Sequence, residues 1–118
     1  IKDFITKAEI IQNAKVINNN ICLAYTKTET DNINIVIAQA ADELLNIKEV
    51  EASFVLARKD DRVFISARSL GNINVHVLME NLGGGGHRDM AGAQLDTSLE
   101  KAYEMVKDTI QTCIKEEE

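Results

Sequence analysis

The sequence predicts one α/β domain, a mixed sheet of about four to five strands flanked by helices. Three observations carry this reading. Segments with apolar residues at three- and four-residue steps alternate with short, continuous apolar runs. Two of those runs, 52–58 and 63–68, are separated only by a turn at Asp60-Asp61, which makes them a hairpin. A length of 118 residues at 45% apolar composition can build one core. The expected radius of gyration is roughly 13 Å.

The elements follow in chain order. Residues 1–14 read as a helix, with Phe4, Ile5, Ala8, Ile11 and Ala14 as its apolar face. Asn18-Asn19-Asn20 is a turn signal. Residues 21–26 are a continuous apolar run and therefore a buried strand. Asp31 or Asn32 caps a helix whose face is Ile33, Val36, Ile37, Ala40, Ala41, Leu44 and Leu45. The hairpin comes next. In its second strand, period two sets Val63, Ile65 and Ala67 on one face and Phe64, Ser66 and Arg68 on the other. Asn72 or Asn74 starts a short helix through Leu82. A glycine loop and a strand at 91–95 follow. Asp96, Thr97 or Ser98 caps a last helix with Leu99, Ala102, Tyr103, Val106, Ile110, Cys113 and Ile114 on its face. Residues 115–118 are an acidic tail, and 1–118 form a single domain.

Charge narrows the function classes. Thirteen Lys and Arg stand against nineteen Asp and Glu, a net charge of -6. Sequence-blind binding to long nucleic acid needs a basic face, so this composition disfavours it. The acidity is not uniform: residues 1–57 carry -3, residues 96–118 carry -4, and residues 58–95 carry +1. A phosphate ligand therefore has one mildly positive segment to bind. Cys22 and Cys113 show no metal-ligand or redox spacing and read as free thiols of a reducing cytoplasm. No segment is long and apolar enough to span a membrane, so no direct membrane contact is expected. The chain opens on Ile, not Met, which fits a domain excised from a longer protein.

Four of the six glycines stand together at Gly83, Gly84, Gly85 and Gly86, and His87 follows. Stopping a helix needs one glycine, not four. Bare amides in such a loop can cradle an anion, and His87 adds a donor or a cation. No Gly-Lys-Ser/Thr follows, and the loop succeeds a helix rather than a strand. A Walker loop and a dinucleotide fingerprint are thereby excluded. On the preceding strand, Ser66 and Arg68 share a face. The planar fork of Arg68 suits phosphate or carboxylate, and Ser66 and Ser69 offer hydroxyls. Arg88 is a possible extension of the positive end. No His/Asp cluster has metal-ligand spacing, and no nucleophile is paired with a base. The pattern is a binding site without a catalytic engine.

The run Gly-Gly-Gly-Gly-His at 83–87, followed by Ala91-Gly92-Ala93, resembles the C-terminal DHH-associated domain, type one, of DHH-family phosphoesterases. Met90 stands where that family more often has alanine. Ser66-Ala67-Arg68-Ser69 resembles the family's substrate-contact strand, and residues 50–69 are most similar to the cyclic-di-AMP phosphodiesterases. The resemblance implies an N-terminal DHH domain, absent from this chain, that holds two Mn²⁺ ions. This chain itself carries no cofactor and no catalytic residue. It is expected to grip a cyclic dinucleotide or short oligonucleotide through Ser66, Arg68, Ser69, Gly83–Gly86 and His87. Alone it is expected to be inactive, on the cytoplasmic side of a parent with membrane segments upstream. Two other readings fit the resemblance: a domain of a RecJ-like exonuclease or nanoRNase, and an RNA-binding module without enzyme activity.

Overall fold

The computed structural model describes residues 1–117, with side chains through Ile114; the acidic tail at 115–118 lies outside the described side chains. Helix α1 (Lys2–Gln12) leads into a short strand β1 (Lys15–Ile17). A turn with Asn18 and Asn19 at positive φ returns the chain antiparallel as β2 (Ile21–Thr26). Asparagine tolerates that left-handed backbone better than most residues. Helix α2 (Ile33–Leu44) then crosses over to β3 (Ala52–Lys59), which pairs with β2 in parallel. A parallel pair requires such a crossover. Asp60 and Asp61, both at positive φ, make the tight turn into β4 (Arg62–Ser69). Helix α3 (Val75–Glu80), the two-residue strand β5 (Gly85–Gly86), strand β6 (Met90–Leu95) and helix α4 (Leu99–Glu117) complete the chain.

The sheet has six strands in the order β1-β2-β3-β4-β6-β5, one more than the upper expectation. The added strands are the two edges. β1 is too short to leave a periodic signal, and β5 consists of two glycines. The radius of gyration is 12.8 Å.

Two apolar layers hold the sheet. On one face, Leu23, Phe54, Leu56, Val63 and Ile65 pack with Leu78 and Met79 of α3 and Ala102, Val106 and Ile110 of α4. On the other, Cys22, Ala24, Val55 and Ala57 lie under Ile33, Val36, Ile37 and Leu44 of α2. Period two in β4 is as the sequence predicts: Val63, Ile65 and Ala67 are buried, while Phe64, Ser66 and Arg68 are only partly so. The capping residues are Asn74, whose Oδ1 accepts from the amides of His76 and Val77, and Ser98, whose Oγ accepts from Lys101.

Helix α1 departs from expectation. Its buried residues are Thr6 and Ile10, whereas Phe4 is 71% exposed and Ile5 51%. Asp3 accepts a hydrogen bond from Asn32 at 3.2 Å, and Lys7 pairs with Glu43 at 3.2 Å. Those contacts set the Asp3-Thr6-Lys7-Ile10 flank against α2. The Thr6 hydroxyl, buried there, donates to the carbonyl of Lys2. Ile11 and Ala14 of the expected face do pack against the core beside Ile10, while Phe4 and Ile5 at the start of the helix stay outside it.

Candidate functional site

On the face away from α3 and α4, helix α1 lies over β2 and helix α2 over β3 and β4, and among the described residues no helix packs on β6 there. The result is a groove of about 540 Å³ beside α2. Its floor is Phe64 and Ser66 of β4 with Gly92 and Gln94 of β6. Asn34 and Ile37 of α2 form one wall, and Gly83 and Gly84 close the end. Ser66 pairs in register with Gly92, and Arg68 with Met90. A larger cavity, about 750 Å³, lies toward the N-terminal end of α4 beside Tyr25 and Tyr103. Lys15, Lys27 and Arg58 there are offset by Glu29, Glu100 and Glu104, so its sign is mixed.

Arg68 stands two residues along the strand from Ser66, about 7 Å away on the same face. Its side chain is 11% exposed. Nε donates to Oδ1 of Asp42 at 2.9 Å, and Nη1 donates to the carbonyl of Ala67 at 2.9 Å. A guanidinium has five N–H donors, so three remain. His87 is exposed and closes a tight turn: its amide donates to the carbonyl of Met90 at 2.7 Å, and the Met90 amide donates back at 3.3 Å. Because Met90 is the strand partner of Arg68, the turn sets the His87 backbone beside the β6 residue opposite Arg68; neither Arg68 nor His87 lines the groove, whose arginine is Arg62.

The four loop glycines have different reasons to be glycine. A Cβ on Gly84 would fall 2.1 Å from the Gly92 carbonyl oxygen and 2.6 Å from the Ala93 Cβ. A Cβ on Gly86 would fall 2.5 Å from the backbone of Ala91. Gly83 has φ +85°, a left-handed conformation at the end of α3 that favours glycine. Gly85 has neither restriction: a Cβ there would meet nothing within 4 Å. Close packing of β5 against β6 thus accounts for Gly84 and Gly86, and Gly85 is the position whose bareness serves no internal contact.

Two expected site residues stand apart. Ser69 lies on the α3–α4 face, opposite Ser66 and Arg68, and is buried. Its Oγ accepts from the Gly71 amide at 2.9 Å, so its hydroxyl serves the turn after β4. Arg88 donates through Nε to the Gly71 carbonyl at 2.7 Å, while its own carbonyl accepts from the Val75 amide. Arg88 thereby pins the loop after β5 to the loop before α3. His76 is a surface residue, paired with Glu80 one helical turn on. Among the described residues, no three His, Cys, Asp or Glu side chains gather where a metal could be held. Nor is any helix long and apolar enough to cross a membrane. Asp42 was not singled out in the sequence, because it reaches Arg68 only through tertiary contact; Gly92, read there as part of the motif at 91–93, lines the groove through strand register.

The profile of the DHHA1 domain matches residues 18–116. This chain is a DHHA1 domain. It shares 43% identity over 114 residues with the cyclic-di-AMP phosphodiesterase GdpP of Bacillus subtilis, covering 93% of this chain and 17% of that protein. It shares 38% identity over 104 residues with the cyclic-di-AMP phosphodiesterase PdeA of Listeria monocytogenes, covering 86% of this chain and 16% of that protein. The chain therefore spans about one-sixth of those relatives. Its fold matches an exopolyphosphatase-related protein of Bacteroides fragilis with a TM-score of 0.81 at 22% identity, over 93% of this DHHA1 domain and 34% of that structure.

Proposed function

We propose that this DHHA1 domain is the substrate-binding part of a cyclic-di-AMP phosphodiesterase. The observation that carries the reading is the open half of the sheet. There a nearly buried arginine with unused donors, Arg68, stands on the same face of β4 as Ser66, whose groove is closed at one end by Gly83 and Gly84. The identity to GdpP and PdeA supports the choice of substrate.

In this reading a DHH domain elsewhere in the parent protein bears two Mn²⁺ ions, which supply the hydrolytic chemistry. The residues of this chain bind and orient. Arg68 directs its free N–H groups at a phosphodiester oxygen, an interaction stronger than a neutral hydrogen bond. The Gly85 backbone lets the nucleotide come close. Ser66 donates its hydroxyl, and His87 donates a ring N–H from the exposed turn. Holding the phosphodiester in one orientation lowers the barrier by removing the entropy of alignment.

The test uses the intact parent protein. Arg68→Ala should cut binding of cyclic di-AMP about 10- to 100-fold, the worth of one charge-assisted hydrogen bond. His87→Ala should reduce Mn²⁺-dependent hydrolysis, and both variants should keep the fold. Wild-type binding and turnover in both variants would remove the assignment. Competition by short oligonucleotides at lower concentration than cyclic di-AMP would instead favour a RecJ-like or nanoRNase substrate.

A further inference from the structure

We propose that Asp42 of α2 is a positioning residue for Arg68. This rests on the reading of Arg68 as a phosphate ligand. Asp42 touches no groove ligand in this role; it acts through the guanidinium.

The geometry is specific. Arg68 Nε and Asp42 Oδ1 are 2.9 Å apart, across 26 residues of sequence. The Ala67 carbonyl holds Nη1 from a second direction. Two acceptors in different directions fix the plane of a guanidinium, whereas one leaves it free to swing. The helix that carries Asp42 is itself anchored beside it. Ser53, the strand partner of Arg68, is fully buried and donates its hydroxyl to the carbonyl of Ala41 at 2.6 Å. The residue before Asp42 is therefore bonded to the residue opposite Arg68, and α2 cannot slide without breaking that contact.

The pair is exposed on one side only: Asp42 is 57% exposed and screened by water, whereas Arg68 is 11% exposed. Asp42 lowers the net positive charge offered to a phosphate. What it offers is orientation: an arginine already immobilised loses less rotamer freedom when the ligand binds.

Asp42→Ala in the intact parent protein should weaken cyclic di-AMP binding about three- to tenfold, the cost of immobilising one flexible side chain. Asp42→Asn, whose amide oxygen still accepts from Nε, should restore most of that loss. In an Arg68→Ala background, Asp42→Ala should cost nothing further. Unchanged or tighter binding by Asp42→Ala overturns the proposal, as does an additive loss in the double variant. Should Asp42→Ala melt early, the Asp42→Asn comparison still decides, because failure to recover binding in a folded Asp42→Asn protein counts against positioning. If Arg68→Ala alone leaves binding unchanged, the reading of Arg68 fails first, and that outcome is separable from failure of Asp42.

Discussion

The two faces of β4 carry the same backbone through opposite environments. Val63, Ile65 and Ala67 meet α3 and α4 and are sealed from water. Phe64, Ser66 and Arg68 face α2 on one side only, because β6 has no helix over it. The sealed face is where burying apolar area stabilises the domain. The half-covered face gives up some burial and keeps polar groups within reach of a ligand. One strand thus presents a sealed face for stability and, in the function proposed above, a half-covered face for binding, by alternation alone.

The comparison is broken most strongly from the sealed face. Phe54 is fully buried, and Phe54→Ala should destabilise the domain by about 3–5 kcal/mol. Ser66→Ala, one strand away on the half-covered face, should stay within about 0.5 kcal/mol of the parent. Denaturant midpoints of the two variants measure this contrast; equal losses would show that the faces are not energetically distinct.

A second contrast lies within the glycine loop. Gly84→Ala drives a methyl into the Gly92 carbonyl and should lower stability by about 1–3 kcal/mol. Gly85→Ala should leave the melting temperature in place and reduce ligand affinity by crowding the approach. A melting curve and a titration on each variant separate packing from binding; a destabilised Gly85→Ala would erase the distinction.

The smallest effect concerns Glu51, just before β3. Hydrogen bonds from Asn20 and then Asn72 hold its carboxyl below the ordinary glutamate range. A depressed carboxylate contributes stability that is full above its unfolded pKa and is lost as pH falls through the lower folded value. Melting temperature should therefore decline between about pH 5 and pH 3, and Glu51→Gln should flatten part of that decline. An unchanged acid limb in Glu51→Gln would remove Glu51 from the account.

Much of the architecture is legible in the sequence. The β3–β4 hairpin, the alternation in β4, the Asn74 and Ser98 caps and the α4 face all follow from local rules. The parity that joins Ser66 to Arg68 also turns Ser69 the other way, so its separation from the site was readable by counting along the strand. The flank of α1 was only half readable: Ile11 and Ala14 pack as the period predicts, but the burial of Thr6 and exposure of Phe4 depend on where α2 lies. Nor was the division of labour among the glycines, since it depends on where Gly92 and Ala91 of β6 come to rest. The Arg68–Asp42 pair joins segments 26 residues apart and exists only once the crossover is formed.

Both margins of the sheet are brief: three residues of β1 at one end and two glycines of β5 at the other. A long, flat margin with unpaired amides is a template on which other chains can polymerise. Three residues offer a foreign strand few hydrogen bonds, and paired glycines offer it no side chains with which to lock a register. The bareness of Gly85, proposed above as room for a ligand, thus also leaves runaway strand addition with little to grip.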